Sequence, residues 1–355
     1  MTTDTQVKGT DKDKEEQGWW LDEDKHAKTK HSLIGLPLGT VVDADELLHP
    51  PVASGHFASS ETSYFGFSIP EHRLNCEIYL WYHPALKVMS ASVLIWTGFK
   101  KTSLAAEYVN HHHFLPYPKN DGGDLHFEAL NLHVRVIDPF KSVQIDFEDR
   151  AQNVKFSYRQ DAIMPPGVRP GGYHFTQAVK TQGELNLRGT QYKIDGFFSR
   201  DRSWTQERRE DPIVMPPLTW MVGVFDSGFA FHCLAMDDMA LKPSWASAFP
   251  SMQPNAGLFW GYVWKDGELA PVSMARKLTT YDADGISPRH IEMDMADAKG
   301  RHFTLRGEVQ ARLPWQTWQN MNTIFCQTRW ECDGKVGFGD SQDVQFQEFP
   351  RLFAR

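Results

Sequence analysis

Short apolar runs, in which apolar and polar residues often alternate, dominate the chain. From about Tyr64 onward these runs are rich in Val, Ile, Phe, Tyr and Trp, and Gly, Pro, Asn and Asp separate them. In the stretch 128–136, every second residue from Leu130 to Val136 is Leu or Val, and the residues between are polar. This period of two is typical of a half-buried strand. Because helical periodicity is scarce, we predict an all-β, antiparallel fold.

Turn signals between the runs predict hairpins. Gly122-Gly123 separates two runs, and Asp-Gly pairs stand at 266–267, 284–285 and 333–334. Glycine adopts a positive φ without steric cost and aspartate tolerates it, as tight hairpin turns require. Consecutive hairpins close into barrels or stack as sandwiches, and both cover the sheet edges.

The length of 355 residues is more than one core usually holds, so two domains are expected. The Pro-rich segments 164–172 and 211–218 are candidate linkers. We place the boundary at the second, because it leaves about eight strands on each side, enough for a small barrel; the first is the alternative. We therefore predict a disordered or loosely docked charged tail over 1–30, an N-terminal domain over 31–210 and a C-terminal domain over 211–355.

Charge and cysteine content exclude several classes of protein. The formal net charge is −8, and no run of Lys or Arg is longer than a pair, so we expect no nucleic-acid partner. The four cysteines form no C-x-x-C pair. Since neither a signal peptide nor a stretch of 18 apolar residues occurs, we predict a cytoplasmic protein with no membrane span. The sequence leaves open whether the chain forms a homodimer.

Aromatic residues are abundant, with 23 Phe, 12 Trp and 10 Tyr. They line either a bulky core or an aromatic ligand cavity, and composition alone leaves both interpretations open. The candidate wall residues are Trp81, Trp96, Trp220, Trp245 and Tyr262.

The segment from Gly196 to Glu207, GFFSRDRSWTQE, places Asp201 between two arginines and close to Trp204. One interpretation is a structural ion pair that stabilises a turn under the indole. The other is a functional site.

The run HFTQAVKTQGELNLRGTQYKIDGFFSRDRSW resembles the hallmark of a superfamily of tandem lipocalin-like proteins. In that superfamily an aromatic-x-Gln segment, a Gly-bounded hairpin and an Asp-[Arg/His]-x-Trp signature follow in this order. It includes carotenoid hydratases, kievitone hydratase relatives and lipocalin-like Diels–Alderases. The resemblance covers about residues 35–350 in organisation, and the segment WECDGKVGFG at 330–339 fits it.

The resemblance implies two lipocalin-like antiparallel barrels in tandem, which bind a small lipophilic terpenoid, steroid or polyketide without metal or organic cofactor. It further implies that Asp201 donates or accepts a proton, that Arg202 orients it and that Trp204 is a cavity wall. Many relatives have Gly after the Trp, whereas this chain has Thr205, so the conformation of that turn is in question.

Addition or removal of water at an unactivated carbon needs an acid, a base and electron-rich faces over the developing cation. A carboxyl group in an apolar cavity meets the first need, because burial raises its pKa toward working pH. Aromatic faces meet the third.

Several histidines are candidate acid, base or hydroxyl-binding groups. In an extended segment, His111 and His113 share one face of the strand. The pair is therefore either part of a metal site or a source of an acid/base group. No carboxylate stands three or four residues after this pair, so we predict no metal. His174 and Gln177 lie in the aromatic-x-Gln segment, and His232 lies in the strand after the signature. Each of these histidines is either a core residue or part of the site.

No G-x-S-x-G, Walker-type, G-x-G-x-x-G or H-E-x-x-H motif occurs. Hydride-transfer, phosphoryl-transfer and serine-hydrolase chemistry therefore lack support. What the resemblance implies is a cofactor-independent hydratase or dehydratase that acts on a terpenoid or steroid-like substrate. The alternatives are an isomerase or cyclase, including a Diels–Alderase type, and a non-catalytic carrier of a lipophilic ligand. Asp201 and Arg202 with His113 or His232 form the expected catalytic set. The expected substrate-binding residues are Trp204, Trp220, His111, His174, Gln177, Trp81, Trp96 and Tyr262.

Overall fold

The computed structural model describes residues 33–49, 56–208, 212–249 and 257–355, so the predicted tail over 1–30 lies outside the described residues. Nearly all regular structure is antiparallel β, which confirms the all-β class. Two short α-helices occur in the described part of the chain, α1 (Pro243–Ala248) and α2 (Glu348–Phe353). None of the described helices is long and apolar enough to cross a membrane.

The N-terminal half forms one twelve-stranded sheet. Its strands are β1 (Ser59–Ile69), β2 (Leu74–His83), β3 (Val88–Thr97), β4 (Tyr108–Pro116), β5 (Lys119–Asp121), β6 (Asp124–Phe127), β7 (Leu132–Asp138), β8 (Ser142–Asp149), β9 (Val154–Ala162), β10 (Gly167–Val168), β11 (His174–Leu187) and β12 (Thr190–Glu207). The hydrogen-bonded order is β4-β3-β2-β1-β12-β11-β9-β8-β7-β6-β5, and β10 pairs with β11.

This sheet curls around its own apolar face. Phe67 on β1 contacts Phe156 and Tyr158 on β9, with ring centroids 5.7 and 5.1 Å apart, although two strands separate β1 from β9 in the sheet. The concave face therefore encloses a core of its own. Because β4 and β5 do not pair with each other among the described strands, this half is a half-barrel that stays open along one side.

The C-terminal half is a closed eight-stranded barrel in which each strand pairs with the next and the last pairs with the first. Its strands are β13 (Leu218–Asp226), β14 (Phe229–Met236), β15 (Leu258–Lys265), β16 (Glu268–Tyr281), β17 (Pro288–Asp297), β18 (His302–Trp318), β19 (Met321–Cys332) and β20 (Lys335–Phe346). Alternate residues such as Met221, Phe231 and Cys233 fill the barrel.

The outer wall of the barrel packs against the face of the sheet that lies opposite the concave core. Trp96 on β3 contacts Phe325 on β19, with ring centroids 6.3 Å apart. The Tyr262 hydroxyl donates to the Thr176 carbonyl over 3.0 Å. This interface between the two halves contains the candidate site.

The predicted hairpin turns are confirmed where both residues of the Gly-Gly or Asp-Gly pair take a positive φ. At Asp333-Gly334 the φ angles are 50° and 75°. The predicted strand over 128–136 was wrong at its start, because Glu128–Leu130 forms a 3₁₀ turn and β7 begins at Leu132. The segment 211–218 lies between β12 and β13, and the domain boundary at that segment stays a prediction.

Candidate active site

Strand β12 carries the charged segment, and its side chains alternate between the two faces of the sheet. Asp201 lies opposite Tyr64 of β1 and Thr176 of β11. Because successive side chains of a strand point to opposite faces, Asp201 faces the barrel, whereas Arg200 and Arg202 face the concave side. Residues that are neighbours in the sequence are thus separated by the thickness of the sheet.

Asp201 lines a cavity of about 110 Å³ between the sheet and the barrel, which we call the inner cavity. His174 and Arg208 line it from the sheet side, and Trp220 and Phe346 line it from the barrel. The other lining residues are Thr62, Tyr79, Ser203, Leu218, Leu234, Thr317, Trp318, Met321, Thr323, Phe325, Gln342 and Val344. Eight of the seventeen lining side chains are apolar, and burial leaves the carboxyl group of Asp201 poorly solvated.

The Asp201 carboxyl has no hydrogen-bond or ion-pair partner in the described part of the chain. Burial raises its pKa to about 8, the charge of Arg208 opposes this rise, and the charge of Asp340 adds to it. At neutral pH the group is therefore mostly protonated and able to donate a proton. This is the property that general acid catalysis requires.

His174 lies beside Asp201 in the inner cavity. Its Nδ1 is 2.8 Å from Ser203 Oγ, and its Nε2 is 3.0 Å from Thr176 Oγ1. Burial and the charge of Arg169 hold the pKa of His174 well below its ordinary value. The ring is therefore neutral and held in place by two hydroxyl groups.

His232 on β14 lies behind the cavity wall, with its ring centroid 4.5 Å from that of Trp220. Its Nδ1 is 3.1 Å from the Met221 carbonyl, which only accepts, so Nδ1 carries the proton and Nε2 is the acceptor. This Nε2 is buried without a hydrogen-bond partner in the described structure. Burial lowers the pKa of His232 to about 3.

Aromatic rings surround these two histidines. The Trp220 centroid is 4.8 Å from that of His174, and Trp260, which sequence analysis missed, lies 4.6 Å from His232. Tyr262 contacts His232 at 5.5 Å but does not line the inner cavity. Of the predicted aromatic walls, Trp220 therefore lines this cavity directly, and Tyr262 belongs to the packing behind it.

A larger pocket of about 490 Å³, the outer pocket, shares Arg208, Thr317 and Trp318 with the inner cavity. The predicted residues Trp81, His111 and His113 line it. The other lining residues are Phe57, Ala58, His83, Leu86, Ser90, Ser103, Phe114, Trp315, Gln316 and Gln319. The two spaces adjoin, and the outer one has the size of an ordinary ligand pocket.

The two predicted histidines of the outer pocket bind each other. His111 Nε2 and His113 Nε2 are 2.8 Å apart, and their Nδ1 atoms contact Ser92 and Ser90. Burial lowers the pKa of His111 to about 4. Within the described residues, no three His, Cys, Asp or Glu side chains converge as metal ligands require.

Arg202 does not orient Asp201, contrary to expectation, because it lies on the concave side of the sheet. It donates to the Glu61 carboxylate and to the Glu46 carbonyl. Arg200 forms a second buried ion pair, with Glu46 at 2.5 and 2.8 Å. The contacts of the two arginines favour the structural interpretation of this segment, but the ion pairs hold a strand and not a turn.

Two further predicted ligand-binding residues belong to this buried charge cluster. Trp204 stacks on His49, with ring centroids 5.0 Å apart, and lines neither the inner cavity nor the outer pocket. Gln177 accepts from Arg200 and donates to the carbonyls of Phe140 and Met164. Trp96 likewise packs in the core and lines neither cavity.

Sequence analysis missed a pair of buried carboxyl groups next to the inner cavity. Glu77 on β2 and Asp340 on β20 lie within hydrogen-bonding range of each other. Asp340 also accepts from the Tyr64 hydroxyl over 2.8 Å and from Gln342 over 2.7 Å. Burial raises the pKa of Asp340 to about 7 and that of Glu77 well above its ordinary value. A proton shared by the pair satisfies Glu77 Oε2 and Asp340 Oδ1, which have no other partner among the described residues.

Comparison with known proteins identifies one family model and several solved structures that are similar to this chain. A family model described as Domain of unknown function (DUF7064) matches residues 42–347. The crystal structure of kievitone hydratase from Nectria haematococca is similar with a TM-score of 0.51 and 11% identity, over 89% of this chain and 95% of that one. A Nitrosomonas europaea structure provisionally named ATTH is similar with a TM-score of 0.52 and 13% identity, over 84% of this chain and 99% of that one. No curated protein matches the sequence.

Proposed function

The chain belongs to the DUF7064 family, and we propose that it is a hydratase or dehydratase that acts on a lipophilic, terpenoid or steroid-like substrate. The observation that carries this proposal is Asp201, a carboxyl group that burial keeps protonated in the inner cavity and that has no hydrogen-bond or ion-pair partner among the described residues. The fold that the chain shares with kievitone hydratase supports the same reaction class. Because fold alone does not fix function, the main support for this reaction is the site itself.

The sizes of the two cavities limit how they can hold a substrate. The inner cavity, at about 110 Å³, is below the size of ordinary ligand pockets, whereas the outer pocket, at about 490 Å³, is within it. We infer that the reacting end of the molecule enters the inner cavity and that its hydrocarbon body occupies the outer pocket. His111, His113 and Trp81 then contact the body of the substrate and take no part in proton transfer.

In hydration, Asp201 transfers its proton to one alkene carbon, and the C=C π electrons form the new C–H bond. The adjacent carbon becomes a cation, and the face of Trp220 stabilises it. A water molecule adds its oxygen to that carbon, and the oxonium group that forms returns a proton to the Asp201 carboxylate, which regenerates the acid. Dehydration runs through the same steps in reverse, with Asp201 accepting the proton that it donates in hydration.

Turnover in deuterated water tests this proposal. A panel of terpenoid and steroid alcohols and alkenes is incubated with the protein and analysed by gas chromatography and mass spectrometry. The proposal predicts a mass change of one water, or solvent deuterium in the product, and loss of this activity in Asp201→Asn. Asp195→Asn is the matched control, because Asp195 lies on the same strand but is exposed.

Other outcomes point to the alternatives. An isomerised or cyclised product without a change in mass favours an isomerase or cyclase, in which the cavity folds the substrate and Asp201 supplies a hydrogen bond. Unchanged compounds that co-purify with the protein favour a carrier. In that case Asp201→Asn lowers affinity only modestly.

A further inference from the structure

Arg208 lies where the outer pocket meets the inner cavity, and it lines both. It follows the last residue of β12, and its backbone N–H donates to the Ala58 carbonyl over 2.8 Å. The residue is only 9% exposed. A guanidinium group is thus buried at the passage between the two spaces.

The guanidinium has one neutral hydrogen-bond partner and one aromatic neighbour. Nη1 donates to the Tyr79 hydroxyl over 2.7 Å, and the group lies over the Trp318 ring at 4.3 Å. Nε is buried without a partner, and no hydrogen bond from Nη2 or ion pair with a carboxylate occurs within the described residues. A buried cation that lacks an anionic partner is costly unless something else neutralises it.

Of the four other buried arginines among the described residues, three have carboxylate partners. Arg200 pairs with Glu46, Arg202 pairs with Glu61, and Arg312 pairs with Asp282 at 2.6 Å. Among the described residues, Arg208 therefore departs from the way this fold usually satisfies a buried guanidinium.

The surroundings of Arg208 add further positive charge. Arg169 is 5% exposed and donates from Nε to the Gly172 carbonyl. Burial and the charge of Arg208 lower the pKa of Arg169 to about 10. The nearby Asp201 forms no ion pair with Arg208 and is mostly protonated at neutral pH. An excess of positive charge therefore remains at the passage.

We propose that Arg208 binds the carboxylate of an amphipathic ligand, so that the substrate class is a lipophilic carboxylic acid. This inference rests on the proposed function and specifies its substrate. With Nη1 occupied by Tyr79, the free donors are Nε and Nη2, which lie on one edge and point in parallel. That edge matches the two oxygens of a carboxylate, whereas a phosphate dianion requires more donors and more charge.

Binding of three molecules with the same hydrocarbon chain tests the proposal: farnesoic acid, farnesol and farnesyl phosphate. Isothermal titration calorimetry at neutral pH compares the wild-type chain with Arg208→Gln, Arg208→Lys and the exposed control Arg159→Gln. We expect wild type and the control to bind the acid more tightly than the alcohol by on the order of tenfold. Arg208→Gln loses this preference and retains affinity for the alcohol, and Arg208→Lys retains part of it.

Equal affinity of the wild-type chain for acid and alcohol overturns the proposal, and so does an unchanged preference in Arg208→Gln. Tighter binding of the phosphate overturns the carboxylate assignment. Thermal unfolding establishes that each variant folds, and if Arg208→Gln does not, the Arg208→Lys titration decides. Binding and turnover of the wild-type chain separate the two proposals. A preference for the acid without turnover contradicts only the hydratase, whereas turnover without a preference for the acid contradicts only the role of Arg208.

Discussion

Asp201 and Arg202 are adjacent in sequence but lie on opposite faces of β12, one toward the barrel and the other toward the concave core of the sheet. Arg202 pairs with Glu61 and belongs to a buried charge cluster that stabilises the sheet. Asp201 lines the inner cavity and has no such partner in the part of the chain that the structure describes. The charged segment therefore combines a structural element and a reactive group, one on each face.

The raised pKa of Asp201 makes the stability of the fold depend on pH. Its folded-state pKa, about 8, lies above the ordinary value of about 3.9, so folding takes up a proton between these values. The contribution of Asp201 to stability therefore falls as pH rises through this range. We predict that Asp201→Asn raises the Tm at pH 9 and leaves it nearly unchanged at pH 4, as measured by calorimetry. An equal effect at both pH values contradicts this.

The ion pair between Arg202 and Glu61 is expected to affect the stability of the fold and not the rate of the reaction. Arg202→Met removes the arginine from the buried Glu61 carboxylate and leaves His49 as its basic neighbour, so we predict a loss toward the lower end of about 3–5 kcal/mol in the free energy of unfolding. The double variant with Glu61→Met recovers part of that loss. Urea denaturation measures both. Turnover per folded molecule stays near wild type, and a variant that keeps its Tm but loses activity speaks against the assignment.

Thr205 adopts a left-handed φ of 55° at a bulge where β12 has an extra residue opposite β1. This conformation is unfavourable for a β-branched side chain and easy for glycine. We predict that Thr205→Gly stabilises the protein by about 0.5–1 kcal/mol. The free energy gained from relief of backbone strain exceeds the cost of the greater conformational entropy of the unfolded chain. Thermal unfolding measures the change, and Thr205→Ala, which keeps the Cβ, is expected to gain less. A lower Tm in the glycine variant is the contrary result.

The carboxyl pair of Glu77 and Asp340 supplies a second pH dependence with the same sign. Both folded-state pKa values are raised. Deprotonation at rising pH therefore places two negative charges side by side in the buried interior, which destabilises the fold. We predict that Glu77→Gln flattens the decline of Tm between pH 6 and pH 9, because the amide donates to Asp340 without titrating. Glu128→Gln at an exposed position is the control. An unaltered slope in Glu77→Gln contradicts the shared proton.

Local patterns explain why much of the fold was predictable. Period two along β7 and the Asp-Gly turns specify strands and hairpins through short-range sterics, which a sequence shows directly. Asp201 was recognisable because charged residues next to an indole are unusual at the end of a strand and because the family resemblance implied its role. The partner of Arg202 was not, because Glu61 joins it through a register that depends on the bulge at Thr205.

The rest of the site depends on contacts between distant strands. Tyr64 reaches Asp340 only after the sheet packs on the outside of the barrel. A period-two pattern identifies the two faces of β20 but not the element that covers each face. Arg208, one residue beyond the end of β12, carries no periodic signal at all. These residues become candidates only once the interface is known.

The most direct test of the account is the protonation state of Asp201. Infrared difference spectra between pH 6 and pH 9, recorded for the wild-type chain and for Asp201→Asn, isolate its carboxyl stretch. We predict a protonated band that is present at pH 6, titrates near pH 8 and is missing in the variant. If the Asp201 band is already that of a carboxylate at pH 6, the group is no acid at neutral pH, and the proposed proton transfer is wrong.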